Sequence, residues 1–508
     1  MLERYVKKIL SSRVYDVAVE TPLQRAPRLS ARTDRDVLLK REDMQPVFSF
    51  KIRGAYNKIA QLSSEEQQRG VIAASAGNHA QGVALAAQRL GLKAVIVMGR
   101  NTPSIKVDAV RGFGAKVVLH GDGFDEAKAH ADELMAKHGY TFVHPFDDID
   151  VLTGQGTVGM EIMNQHARAP GAVFVPVGGG GLVAGIAAYV KYLSPATQVI
   201  GVEAEGSACL AAAMKAGRRV KLPYETLDLF ADGVSVAQVG KETFKVARKC
   251  VDEVITVSTD EICAAVKDLF DDTRAIAEPS GALAVAGLKK YAARQDADAA
   301  GNGSLIAVVS GANVNFDRLR HISERAEVGE QRETILAVTI AEERGSFRRF
   351  CQTLGKRSVS EFNYRFARDD EAHVYVGLQV AAGADRRAVI GALEGAGYAV
   401  EDMTDNEAAK LHVRHMVGGR NVSGKAELLY RFEFPERPGA LLRFLSVLGT
   451  QWNITMFHYR NHGAAWGRVL VGFEAMPGDR RKLTAYLDRV GYRYWEETDN
   501  PAYRLFLR

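Results

Sequence analysis

Between residues 35 and 315, apolar runs rich in β-branched residues alternate with segments whose apolar positions recur every three or four residues. The runs are AVIVM (94–98), KVVLH (116–120), VFVPV (173–177), QVIGVEAE (198–205) and SLIAVVS (304–310). Between them lie stretches such as NHAQGVALAAQRLG and FDEAKAHADELMAKHG. This alternation predicts strand, helix, strand in succession. At this rhythm it predicts an α/β fold with mainly parallel sheet and helices on both faces. Ligands of such sheets bind outside the carboxyl ends of the strands, so the loops there are where chemistry is sought. The first residues, MLERYVKKILSSRVYDV, are charged throughout and pattern as an amphipathic helix, without the apolar core of a signal peptide.

A polar stretch, HISERAEVGEQRE (321–333), closes this region, and beyond it the chain repeats itself. RFCQTLG (349–355) aligns with RFLSVLG (443–449), and FNYR (362–365) with FHYR (457–460). The triplet DRR at 385 and 479, and TDN at 404 and 498, recur at the same offset of 94 residues. Several landmarks at one spacing predict an internal duplication. In the second copy ELLYRFEF, GALLRFLSVLG, NITMFHYR, GRVLVGFEA, RRKLTAYLDRVG and YRYWEE read as strand, helix, strand, strand, helix, strand. That order matches a ferredoxin-like unit. The linker between copies is VGGRNVSG (417–424). The expected domains are therefore 1–325, 333–406 and 426–501.

Composition excludes more than it selects. The 508 residues are 47% hydrophobic and 25% charged, enough for several cores, and the net charge of +5 is spread without long basic runs. Nothing there favours nucleic acid or an anionic membrane as a partner. The longest apolar stretch, VFVPVGGGGLVAGIAAYV (173–190), is broken by Pro176 and four consecutive glycines, so no membrane span is expected. Cys209, Cys250, Cys263 and Cys351 have no metal-ligand spacing and read as free thiols of a reducing, cytoplasmic compartment. No metal site is expected.

Four stretches carry candidate chemistry. SFKIRGAYNKI (49–59) sets Lys51 between Phe50 and Ile52. Such an amine is either a solvated loop lysine or a desolvated one that stays neutral part of the time and acts as nucleophile or base. VPVGGGGLVAG places Gly178, Gly179, Gly180 and Gly181 after an apolar strand and before a helical run. A tight turn needs one or two glycines; four suit a phosphate cradle of backbone N–H groups at a helix start. SAGNHAQG (75–82) follows the run VIAA, where Ser75, Asn78 and nearby amides would suit a carboxylate or phenolate; Ser75 or Asn78 also reads as an N-cap. SGANVN (310–315) puts Ser310 at a third strand end, and His79 is either a base or a hydrogen-bonding support. Three polar strand-end loops and one framed lysine suggest a phosphorylated aldehyde cofactor.

SFKIRGA, SAGNHAQG, VGGGGL, AEPSGA and SGANVN, in this order, resemble the fold-type II pyridoxal-phosphate enzymes, and within them the serine/threonine dehydratases. With the duplicated tail, essentially the whole chain is similar to the biosynthetic threonine dehydratases (threonine deaminases), whose catalytic domain precedes two ACT-like modules. The resemblance implies a lyase that converts L-threonine to 2-oxobutanoate and ammonia, the first step of isoleucine biosynthesis. It implies that Lys51 binds pyridoxal 5'-phosphate covalently and acts as base. Asn78 would meet the ring hydroxyl, Gly178, Gly179, Gly180, Gly181 and the Leu182 amide the phosphate, and Ser310 the ring nitrogen. Ser75, Ala76, Asn78 and His79 would surround the substrate. Ala76 departs from the serine racemases, which carry a serine there as acid and base; a methyl group transfers no proton. Cys209 replaces the last acid of the racemases' cation site.

The alternatives are serine dehydratase, another fold-type II enzyme such as threonine synthase or cysteine synthase, and a sensor built on a degenerate enzyme. The last would predict loss of Lys51 or of the glycines, and both are intact. The resemblance further implies a homotetramer inhibited by isoleucine and activated by valine. ERPGALLRF (436–444) is the candidate effector loop, through the N–H groups of Gly439, Ala440 and Leu441. The aligned ERGSFRRF (343–350) is a weaker second candidate, with Phe347 in place of Leu441.

Overall fold

A computed structural model describes residues 2–507, except 295–302, 331, 342–345, 356, 358, 367–370, 382, 416–425, 436–443, 445–446, 448–451 and 461–465. The chain divides into two compact units, Met1–Phe316 and Asp317–Arg508.

In the first unit each apolar run forms a strand: Ala94–Met98, Lys116–Leu119, Ala172–Pro176, Gln198–Ala204 and Leu305–Val309. Two sheets result. The larger has the order Leu23–Arg25, Val37–Arg41, Leu305–Val309, Ala172–Pro176, Gln198–Ala204, Glu253–Val257. All its pairs are parallel except the first, which adds an antiparallel edge. The smaller is wholly parallel, in the order Lys116–Leu119, Ala94–Met98, Val71–Ala74, Thr141–Phe142. Strands such as Ala172–Pro176 and Leu305–Val309 are buried at every residue, as parallel strands covered on both faces must be. The helix Leu2–Leu10 buries Tyr5, Val6 and Ile9, the stripe that its pattern predicts. Among the described residues no helix is long and apolar enough to cross a membrane.

The second unit holds two four-stranded antiparallel sheets. The first is ordered Val359–Phe366, Glu371–Gln379, Glu333–Ala341, Ala399–Asp402; the second Asn453–Arg460, Trp466–Glu474, Glu427–Pro435, Arg493–Glu496. Numbered by sequence within each copy, both read 2-3-1-4, the ferredoxin-like order. The duplication extends to single bonds. Thr404 Oγ1 accepts the Ile335 N–H at 3.0 Å, and Thr498 Oγ1 accepts the Leu429 N–H at 3.0 Å, both pairs displaced by 94 residues. Asn406 and Asn500 each cap a following helix, and these equivalent residues touch each other, Asn406 Nδ2 donating to Asn500 Oδ1 at 3.1 Å.

Strand alternation explains how the copies join. Along Glu333–Ala341, Leu336, Val338 and Ile340 face the copy's own helices, while Ile335 and Ala337 enter a core shared with Leu429, Leu470, Tyr503 and Phe506 of the other copy. The helix Arg318–Gly329 belongs to this unit, with Arg325 paired to Glu407 at 2.7 Å. Gly439, Ala440 and Leu441, and the inter-copy linker, lie outside the described residues.

Candidate active site

Lys51 is the first residue of the helix Lys51–Ile59, and the chain entering it is clamped. The Phe50 N–H donates to the Ser310 carbonyl at 3.2 Å and the Ala312 N–H to the Phe48 carbonyl at 2.9 Å, so Ser49 pairs with Gly311 across a one-residue bridge. Phe48 adopts a left-handed backbone, φ 54°, to make this turn. Behind Lys51, Gly82 brings the helix Asn78–Leu90 so close that an added Cβ would sit 3.2 Å from the Lys51 carbonyl carbon. Burial pushes the Lys51 amine down to about 8, with Glu278 pulling weakly the other way. Its Nζ lies 4.9 Å from the Phe50 ring centroid and has no hydrogen bond or ion pair among the described residues.

Lys40, which is fully buried, shows the contrast. Lys40, also desolvated, spends its amine on the Thr21 carbonyl (2.6 Å), Glu161 (2.5 Å) and Gln165 (3.0 Å). It belongs to a closed network in which Arg53, two residues past Lys51, grips Glu42 through two bonds of 2.7 Å and Glu161 at 2.6 and 3.0 Å. Two cations and two carboxylates cancel there, and they fix the helix that presents Lys51. Lys40 is structural; Lys51 is available.

Ser75, Ala76, Gly77 and Asn78 follow the strand Val71–Ala74 and keep partial exposure. The helix begins at Asn78 with Gly77 as N-cap and no capping side chain, so neither Ser75 nor Asn78 caps it. Ser75 Oγ instead accepts the Gly77 N–H at 3.3 Å. The first-turn amides are thus left for an anion. The His79 ring is buried, with Nε2 2.8 Å from the Val143 carbonyl, which only accepts; Nε2 therefore carries the proton. Burial holds the ring down at about 3, neutral throughout the working range. That makes the ring a weak base, held against the Val143 carbonyl as a support for the loop.

The glycine loop follows the strand Ala172–Pro176 and opens the helix Gly181–Leu193, again with no capping side chain. Gly180 needs to be glycine by conformation, at φ 89°. Gly179 needs to be glycine by contact, since a Cβ would overlap the Phe146 ring. Leu182 is buried beneath the loop. Ser310 follows the strand Leu305–Val309 and is buried, with only a 3.4 Å bond from its hydroxyl to the Ser280 carbonyl.

Contacts close these loops into one site. Asn78 Nδ2 donates to Glu278 Oε1 at 2.6 Å, and the Glu278 N–H donates to the Gly311 carbonyl at 3.1 Å. Gly233 lies against Ser280, Val234 against Gly178, and Phe146 against Gly179. Glu278 stands at the N-cap of the helix Pro279–Ala292 but makes no capping bond, having turned toward Asn78. Two features fit the site to a phosphorylated pyridine aldehyde: the uncapped glycine cradle, and the Ser280 hydroxyl, buried without a hydrogen-bond partner among the described residues.

The sequence reading missed the loop HPFDD. His144 Nδ1 accepts the N–H of Phe146 (3.2 Å) and Asp147 (2.8 Å), and Asp147 caps the helix Lys241–Cys250 with two bonds of 2.8 Å. It follows the strand Thr141–Phe142, the same strand-end signal as the other loops, but that strand has two residues and no readable pattern. Cys209 was also undervalued: its buried thiol donates to the Gly178 carbonyl at 3.4 Å.

Comparison with known proteins agrees with this geometry. Residues 14–311 match the family of pyridoxal-phosphate dependent enzymes, and residues 324–413 and 418–507 each match the C-terminal regulatory domain of threonine dehydratase. The biosynthetic L-threonine dehydratase of Burkholderia multivorans is 54% identical over 506 residues, 99% of both chains. That of Escherichia coli is 55% identical, over 99% of this chain and 97% of its own. This chain belongs to the pyridoxal-phosphate-dependent threonine dehydratases. Among solved structures, the processed threonine deaminase isoform 2 of Solanum lycopersicum is 50% identical with a TM-score of 0.62, over 64% of this chain and 93% of its own. The maize serine racemase is 30% identical with a TM-score of 0.59, over 63% of this chain and 95% of its own. The enzyme is a pyridoxal-phosphate lyase with a duplicated regulatory tail.

Proposed function

We propose that the enzyme dehydrates and deaminates L-threonine to 2-oxobutanoate and ammonia, and that Lys51 is both its cofactor anchor and its base. The observation that carries this reading is the Lys51 amine, without a hydrogen bond or ion pair among the described residues, beside the bridge that ties its entry strand to the Ser310 loop. When bound, pyridoxal phosphate supplies an electron sink for charge developing at the substrate Cα. Gly178 to Gly181 and the Leu182 amide hold its phosphate, Asn78 its ring oxygen and Ser310 its ring nitrogen. A neutral serine, unlike an aspartate, does not hold that nitrogen protonated, which favours prompt β-elimination over transamination. Ser75 and the first-turn amides of Asn78, His79 and Ala80 receive the substrate carboxylate; His79 contributes its N–H and keeps its ring on Val143. Lys51 removes the Cα proton, the β-hydroxyl takes up a proton and departs as water, and hydrolysis of the resulting enamine releases ammonia and 2-oxobutanoate. Ala76 offers no proton on the opposite face.

In this reading the paired modules bind isoleucine as inhibitor and valine as activator, the assembly is a tetramer, and the enzyme works in the cytoplasm. Purified enzyme with threonine tests the activity: 2-oxobutanoate and ammonia should appear in equal amounts. Preferential turnover of serine, or D-serine as the main product from L-serine, would overturn it.

A further inference from the structure

Asn78 reaches the site through an amide whose two ends look alike in shape but are opposite in chemistry. A side-chain amide at such a position needs something to fix which end faces inward. The chain supplies it from SGANVN, beyond Ser310. Asn313 Nδ2 lies 2.8 Å from the Val47 carbonyl and 2.6 Å from Asn78 Oδ1. The Val47 carbonyl accepts only, so Asn313 must turn its NH2 toward it, and the second proton of that NH2 goes to Asn78 Oδ1. Asn78 Nδ2 then donates one proton to Glu278 Oε1 at 2.6 Å. Reversing any member would set acceptor against acceptor or donor against donor along the row. Gly311 leaves room for the last bond: a Cβ there would lie 2.5 Å from Glu278 Oε1 and 3.3 Å from Asn78 Nδ2.

We propose that Asn313 is a positioning residue that locks the polarity of Asn78, so that the free N–H of Asn78 Nδ2 is always the end offered to the cofactor. A donor fixed there favours a ring oxygen that carries negative charge. The inference rests on the reading that places Asn78 at that oxygen.

The test uses holoenzyme of the wild type, Asn313→Leu, Asn313→Asp and Asn78→Ala. Four readouts are compared: the absorption band of the bound cofactor and its pH titration, cofactor content, kcat and KM, and the thermal midpoint. Asn313→Leu removes both donors at similar volume. Asn313→Asp keeps the shape but sets an acceptor against both Val47 and Asn78. If the proposal holds, both variants shift the band in the direction given by Asn78→Ala and lower kcat about tenfold, the worth of one oriented hydrogen bond. Cofactor content and KM should stay near wild type, and Asn313→Asp should shift the band further than Asn313→Leu. Loss of thermal stability with an unmoved band and unchanged kcat in both Asn313 variants would reduce Asn313 to a structural residue and overturn the proposal. If Asn78→Ala also left the band unmoved, the placement of Asn78 at the ring would fail first. Should Asn313→Leu not fold, the isosteric Asn313→Asp decides alone.

Discussion

At the scale of single residues, two desolvated lysines on neighbouring stretches of chain have opposite fates, and hydrogen bonding separates them. Lys40 is consumed by Glu161, Gln165 and Thr21, while Lys51 makes no hydrogen bond or ion pair among the described residues and has only the Glu278 charge to offset its desolvation. A depressed amine pKa increases the neutral fraction at lower pH. At pH 8 about half of Lys51 is neutral, against roughly 0.3% for an ordinary lysine. Cofactor capture by the apoenzyme should therefore rise with pH through a midpoint near 8; a midpoint above 10 would contradict the desolvation argument. Lys51→Ala should abolish turnover and leave the thermal midpoint of the apoenzyme unchanged or higher, because it removes a desolvated amine that makes no hydrogen bond or ion pair among the described residues. The glycine loop gives a second prediction. Gly179→Ala should cut cofactor affinity by pressing on Phe146, and Phe146→Ala in the same chain should restore part of it. No recovery in the double variant would mean that the added methyl group blocks the phosphate directly.

At the scale of elements, the helix that presents Lys51 is held by charges sealed from water. Arg53→Met would leave Glu42 and Glu161 buried with half their compensation, a loss of about 3–5 kcal/mol. The exposed pair Arg69–Glu65 should contribute at most about 0.5 kcal/mol by the same measurement. Comparable denaturation midpoints for the two disruptions would refute the role given to the buried network. Much at this scale was legible in the sequence. Strands such as Ala94–Met98 and Leu305–Val309 are apolar throughout because both faces are covered, and the duplicated tail shows its period directly. Other parts were not legible. The strand Thr141–Phe142 is too short to pattern, so the Phe146 loop went unseen. From AEPSGA, Glu278 reads equally as a helix-start acid before Pro279 or as a support behind the site; the structure turns it toward Asn78, a pairing 200 residues apart that leaves no local trace.

At the scale of the whole molecule, the chain combines an enzyme unit with a tail whose two copies share one core. Ile335 and Leu429, equivalent residues of the two copies, both enter it, so the copies should fold and respond as a pair. The first unit holds its own two sheets and its own buried clusters, which argues that it can stand alone. Ending the chain at Phe316 should leave an active dehydratase that has lost isoleucine inhibition, removing a coupling of about 1–3 kcal/mol. Undiminished inhibition of the shortened enzyme would move the effector site into the catalytic unit. The central claim, however, concerns one amine. Borohydride treatment of the full-length holoenzyme, followed by peptide mapping by mass spectrometry, reads directly which lysine holds the cofactor. The reduced cofactor should appear on the peptide that contains Lys51 and on no other; finding it on Lys40, Lys58 or any other lysine, or on none, would contradict the role given to Lys51.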